Sequence, residues 1–400
     1  MAKLRFQRLE RHSPASWVII GLQTLLLALG LGAALYMEER GHAVSGMSNQ
    51  IVWGLPHVFA VFLIVAASGA LNVASMSSVF NRTVYKPYAR LSGILAIALL
   101  IGGLAVLVLD LGRPERIFVA MTTYNFKSIF AWNIYLYSGF ILVVGAYLFA
   151  MMDREASRSA GLGETVGWIA FAWRLILTTG TGSIFGFLVA REAYDSALLA
   201  PLFIAASFLY GLAFMVLVLV ATSRDAGHDL LSDDVARSFR GLLSIFALSV
   251  LYFTIVHHLT KLYASGHLGV EFFLLRDWGV YPLLFWIGQI VGGTLLPLGL
   301  LALARDIAAA RRVLPFASAL FLIGGLAQFY VIIIGGQAYP LKLFPGFEAS
   351  SSFLDGVVAH YQPSLPELLL GLGGLSLAML LTTLALRLFP FLPQLRTAEE

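Results

Sequence analysis

Cysteine is absent from all 400 residues. That absence removes thiolate-bound iron–sulfur clusters, the Cys-x-x-Cys-His attachment of c-type haem, zinc–thiolate centres and disulfides. Charge is the second scarcity: Asp, Glu, Lys and Arg make up 12% of the chain, about half the roughly 25% of soluble domains. The glycine signatures of dinucleotide and phosphate loops are missing. No apolar segment carries the Glu-x-x-His pattern of a di-iron carboxylate bundle. None has two histidines set a bilayer leaflet apart, so at most one outer haem has ligands here. A redox metal must come from a partner or rest on histidine.

What the chain has in abundance is apolar surface. Hydrophobic residues reach 59% and fall in runs of about 20, the length at which an α-helix crosses about 30 Å of hydrocarbon. The fold class is all-α integral membrane protein. Hydropathy and loop punctuation place ten transmembrane helices at about 15–36, 52–79, 88–111, 129–152, 166–190, 197–222, 239–264, 281–304, 313–336 and 364–389. Arg113-Pro114, Asn81-Arg82, Gly279 and Pro340 break the chain between them. The first run is too long for a signal peptide, and Glu38-Glu39-Arg40 follows it where a cleavage site would have small residues.

Of the 26 Lys and Arg, 17 collect on one side, among them Lys3, Arg11, Arg82, Lys86, Arg154, Arg158, Arg237, Arg311 and Arg396. Seven fall on the other, including Arg113, Arg116, Arg191, Arg276 and Lys342, which leaves Arg174 and Lys261 within spans. By the positive-inside rule both termini face the cytoplasm, and the inner (cytoplasmic) membrane is the expected location. The net charge of +4 follows from this topology and gives no reason to invoke nucleic acid. Trp17, Trp53, Trp132, Trp168, Trp278 and Trp286 lie near predicted span ends, as an aromatic belt requires.

Ionisable residues within spans are costly and mark function by default. His57 lies below the outer surface on span 2, after Asn49-Gln50 and Trp53-Gly54-Leu55-Pro56. Span 3 brings Asp110 and Arg113 to the same level. Span 4 opens there with Trp132, Asn133 and Tyr135, and span 7 brings His257, His258 and Lys261. A polar layer in the outer third suits an apolar ligand with hydrogen-bonding head atoms, and a quinone fits that description. His57 and Asp110 are the titratable acceptors for quinol protons.

Competing readings are a structural histidine bonded to a neighbouring helix, and an interfacial Asp110–Arg113 ion pair. On span 5, Arg174, Thr178 and Thr179 read either as a proton path or as a snorkelling arginine with hydroxyls bonded back to the helix. A secondary transporter, or a proton-translocating protein without a redox role, is the alternative function. Against it, the strongest polar cluster is at one surface and not at the midplane.

Leu109-Asp110-Leu111-Gly112-Arg113-Pro114, Ser128-Ile129-Phe130-Ala131-Trp132 and Trp53-Gly54-Leu55-Pro56 resemble the NrfD/PsrC family, the quinone-interacting membrane subunits related to polysulfide reductase. His258-Leu259-Thr260-Lys261-Leu262-Tyr263 and Gly335-Gly336-Gln337-Ala338-Tyr339-Pro340 are similar to its longer ten-helix branch, which includes a hydrogenase membrane subunit (HybB) and the sulfite-reduction-associated membrane protein (DsrP). The resemblance implies a single polytopic domain of two four-helix bundles, spans 2–5 (about 52–190) and spans 6–9 (about 197–336), with spans 1 and 10 peripheral.

It further implies a membrane subunit with no haem or iron–sulfur cluster of its own, which catalyses little alone. Menaquinone or ubiquinone would bind near the outer face, at Asn49 and His57, with Asp110 and Arg113 beside them. Electrons would pass to an extracytoplasmic iron–sulfur protein, in a complex with a multihaem cytochrome c and a second membrane subunit. Where shorter members have Tyr-Thr-Gly on span 5, this chain reads Thr178-Thr179-Gly180, which leaves Tyr135 as the substitute tyrosine. The outer stretches 265–280 and 337–363 carry Phe272, Phe273, Trp278, Tyr339, Phe344, Phe347, Phe353 and Tyr361, a composition suited to partner contact.

Overall fold

The computed structural model describes residues 5–10, 13–152, 162–341 and 356–394. Lys3, Arg11, Arg154, Arg158, Lys342, Arg396 and the loop aromatics Phe344, Phe347 and Phe353 lie outside them.

Ten long helices carry the fold of the described residues: α1 (Pro14–Arg40), α2 (Leu55–Ser78), α3 (Thr83–Leu109), α4 (Ile129–Met152), α5 (Leu162–Gly186), α6 (Leu199–Ala226), α7 (Asp233–Tyr263), α8 (Val280–Leu303), α9 (Ile307–Ala338) and α10 (Leu365–Leu388). Nine of these are long and apolar enough to cross a membrane. The tenth, α5, has the length, but Arg174 and its run of threonines dilute its apolarity. Several helices begin before their apolar stretch because polar residues start them. Asp306 caps α9 by accepting from the Ala309 N–H, and Asp233 and Asp234 fill the first turn of α7.

α2 is buried along most of its length, its apolar faces meeting α3, α5, α6, α9 and α10. Its crossing with α6 is made by glycine. A Cβ on Gly69 would overlap the Ser207 carbonyl, and one on Gly211 would overlap the backbone of Gly69 and Ala70. Where lipid is as apolar as leucine, such backbone contact supplies dispersion and exclusion of lipid that larger side chains would prevent. α3 packs on α4 and α4 on α5, while α6 packs on α7 and α9, and α8 lies along α9. α1 is mostly exposed and rests on α10, which in turn rests on α3 and α2. The terminal segments meet in an antiparallel two-stranded sheet, β1 (Phe6–Gln7) with β2 (Leu392–Pro393), so both lie on one side.

Among the described residues, two helices contain π segments. α8 is a π-helix over Leu284–Leu295, and α9 has a π-turn over Val331–Gly335.

Candidate functional site

The site begins with the segment leading into α2, whose backbone polar groups are satisfied from distant parts of the chain. Gln337, at the end of α9, accepts from the N–H groups of Val52 and Trp53 (both 3.0 Å) and donates to the carbonyls of Trp53 (3.0 Å) and Ile333 (2.8 Å). The Tyr361 hydroxyl accepts from the Leu55 N–H (2.6 Å) and donates to Glu367 (2.7 Å), which completes a capping box with Ser364 on α10. Arg191 donates to the carbonyls of Gln337 and Gln50, both at 2.8 Å. Burial pulls the Arg191 pKa below its ordinary value and pushes that of Tyr361 up, the latter reinforced by Glu367. The start of α2 is thereby fixed on both sides.

This frame aims His57. Its Nδ1 lies 2.8 Å from Oδ2 of Asp110, whose side chain is wholly inaccessible at the end of α3. His42 also reaches Asp110, with Nε2 2.9 Å from its backbone carbonyl. His57 also lines a cavity of about 530 Å³, within the range of ligand pockets.

The cavity lies between α2, α3, α4 and α5. Trp53, Phe130 and Phe185 form one aromatic wall, with ring centroids 5.6–5.7 Å from Trp53. Leu104, Leu107 and Ile184 supply aliphatic surface, and Ile333 closes it from α9. Asn133, Tyr137 and Ser138 add polar atoms, while the exposed Arg113 and Arg116 join its lining from the connection after α3. The Asn133 amide donates to the Gly180 carbonyl (3.1 Å), and the Tyr137 hydroxyl is 3.3 Å from that of Thr181. This donor set fits an apolar molecule with a carbonyl or hydroxyl head: flat rings meet the aromatic wall and the head meets an imidazole. Among the described residues no group of three His, Asp or Glu is placed to hold a metal ion.

Of the residues singled out from sequence, Trp53, His57 and Arg113 line the cavity, and Asp110 stands behind His57. Asp110 pairs with histidine and not with Arg113, for which no ion pair forms among the described residues. Asn49 is exposed and outside the lining. Trp132 and Tyr135 also face away. Their polar tips donate to the carbonyls of Phe126 (3.0 Å) and Met121 (2.8 Å), which pins the connection whose short helix Ile117–Thr122 borders the cavity. The tyrosine at the cavity is Tyr137, two residues on.

Arg174 does not snorkel; it is 1% exposed, donating to Asn72 (3.1 Å) between the rings of Phe171 and Phe208. Thr178 joins Ser68 beside it at 2.5 Å, whereas Thr179 is exposed. In the other half, Lys261 gives its ammonium to the carbonyls of Glu192, Tyr194 and Asp195, His257 meets Ser196 at 3.1 Å, and His258 meets Glu271 at 2.7 Å.

Sequence reasoning missed Glu367, His42 and Tyr137 altogether, and missed the framing roles of Gln337, Tyr361 and Arg191; Asn133, read from the sequence as part of the outer polar layer, does line the cavity. The one available signal was the Gly-Gly-Gln-Ala-Tyr-Pro run containing Gln337.

Known proteins share this sequence pattern along nearly its full length. The chain is 30% identical to the Hdr-like menaquinol oxidoreductase integral membrane subunit of Archaeoglobus fulgidus, over 99% of this chain and 98% of that one. It is 28% identical to a putative dimethyl sulfoxide reductase membrane subunit of Halobacterium salinarum, over 95% and 92% of the two chains. With a selenate reductase subunit of Mesobacillus selenatarsenatis it shares 25% identity, over 89% and 90%. The profile of the family described as Polysulphide reductase, NrfD, matches residues 43–340, which takes in every cavity wall, and this multi-pass membrane protein belongs to that family.

Proposed function

We propose that this chain is the quinone- or quinol-binding membrane subunit of a multi-subunit electron-transfer complex, and that the cavity beside His57 is its ligand site. One observation carries the reading: a largely apolar cavity of about 530 Å³ with an imidazole at its wall and a buried carboxylate behind that imidazole. A quinol supplies two electrons and two protons. The first helix bundle, α2 to α5, holds the site. Trp53 and Phe130 orient a flat ring by stacking and edge contacts, and the apolar walls exclude water. Nε2 of His57 accepts a proton, and Asp110 stabilises the imidazolium that results. Arg174 and Thr178, buried against α2, are the candidates for a proton route toward the opposite face.

The family resemblance extends the proposal to partners. Electrons pass to an extracytoplasmic iron–sulfur protein, in a complex with a multihaem cytochrome c and a second membrane subunit, linked to dissimilatory sulfur metabolism. The complex sits in the inner membrane with both termini of this chain cytoplasmic.

The test is quinol turnover by the purified complex carrying His57→Ala, with affinity for a quinone analogue measured on the same preparation. Loss of turnover by roughly a hundredfold is expected, the scale of a missing acid–base group. Unchanged turnover and unchanged affinity would remove His57 from the site and the cavity from its role.

A further inference from the structure

A second polar site lies in the half of the molecule formed by α6 to α9, away from the His57 cavity. There a cavity of about 20 Å³ is lined by Thr254, His257, His258, Gln289 and Gln328, with Val331 and Ile332 behind them. Three polar atoms in this region are buried without a hydrogen-bond partner: Thr254 Oγ1, Gln328 Nε2 and Glu271 Oε1. Their residues are 3%, 1% and 1% exposed. Orphaned polar atoms are expensive, and an internal water needs about 10–15 Å³ and two to four polar neighbours. The volume and the orphans match.

The surroundings show that the site is built. Tyr210 on α6 donates to Gln328 Oε1, which turns the orphaned amide nitrogen of Gln328 the other way. The two helices that supply Gln289 and Val331 are in π form just there, over Leu284–Leu295 and Val331–Gly335. Such widened turns cost helix stability and recur at functional positions.

We infer that this cavity is a proton-binding site, in which one internal water links Thr254 and Gln328 to the His258–Glu271 pair. As imidazolium and carboxylate the pair is neutral overall. Transfer of a proton from hydronium in the cavity to Glu271 makes it positive, and loss of the imidazolium proton to the water makes it negative. No electrons move. The charges facing the pair are known. On α7 they are Lys261 and His257, the latter with its ring centroid 5.1 Å from that of His258. Glu192 and Asp195, on the connection between α5 and α6, lie with Glu271 in electrostatic range of Lys261. His267, preceding the short helix that bears Glu271, is tied to the Glu192 carbonyl at 3.0 Å. Tyr210 is the titratable neighbour from α6. The site makes no use of the ligand of the His57 cavity, so either assignment can fail alone.

The experiment is infrared difference spectroscopy of the full chain in lipid nanodiscs during a pH titration, in ordinary and in oxygen-18 water. The wild-type chain is expected to show a carboxyl band that titrates and a weakly hydrogen-bonded internal-water band that shifts with the isotope. Glu271→Gln should lose the carboxyl band, and Gln328→Met should lose the water band. A Glu271→Gln spectrum that titrates like wild type overturns the inference. Should that variant fail to accumulate, Gln328→Met decides: an unaltered water band overturns it and a lost one supports it.

Discussion

Asp110 stands behind His57, its Oδ2 2.8 Å from the ring Nδ1 and its side chain wholly inaccessible. A carboxylate at that distance stabilises the charged form of the ring. Asp110→Asn keeps the shape and removes the charge. Quinol turnover by the complex is expected to fall roughly ten- to hundredfold, the range for losing a group that orients a functional imidazole. Arg113→Gln, which breaks no ion pair among the described residues, should change turnover far less. Equal losses from the two substitutions would separate Asp110 from His57.

Gln337→Ala removes the acceptor for two backbone N–H groups and the donor to the Trp53 carbonyl. Each unpaired buried group costs about 1–3 kcal/mol. A lower thermal midpoint in detergent is expected, together with altered Trp53 emission, because the indole loses its fixed place in the cavity wall.

Arg174 is buried with aromatic rings and one amide as company, and without a carboxylate among the described residues. Replacing a buried charge by an apolar side chain of similar volume is often neutral or stabilising by about 1–4 kcal/mol. Arg174→Met should therefore match or exceed the wild-type thermal midpoint, while Asn72→Leu, which strands the guanidinium, should lower it. A fall in turnover with Arg174→Met at undiminished stability would mark the arginine as functional.

Because the chain has no cysteine, single introduced thiols report topology without background. Trp278→Cys, at a fully exposed position between α7 and α8, is expected to react with an impermeant maleimide on intact cells. Arg237→Cys, near the start of α7, should react only after permeabilisation. The reverse pattern would invert the orientation drawn from the basic residues.

The ten helices were legible because each buries or exposes to lipid an unbroken apolar run, and hydropathy reads such runs directly. Even α5, diluted by Arg174 and its threonines, was found from length and flanking breaks. Side-chain direction was a different matter. α4 is apolar around its whole circumference, so nothing in its pattern showed that Asn133 and Tyr137 turn inward while Trp132 and Tyr135 turn out. His57 and Asp110 stood out as ionisable groups in apolar runs. Gln337, Tyr361 and Glu367 did not, because they act on a segment some three hundred residues earlier, and only the folded chain brings them there.

The π-turn of α9 belongs to both halves of the molecule. Val331 and Ile332 face the small polar cavity, and Ile333 forms part of the wall beside His57. The Ile333 carbonyl also receives the Tyr194 hydroxyl and the Gln337 amide that holds Trp53. A change of register in that turn must therefore move the walls of two compartments together. If filling one compartment shifts that turn, it alters the affinity of the other, and by thermodynamic reciprocity the influence runs both ways by the same factor.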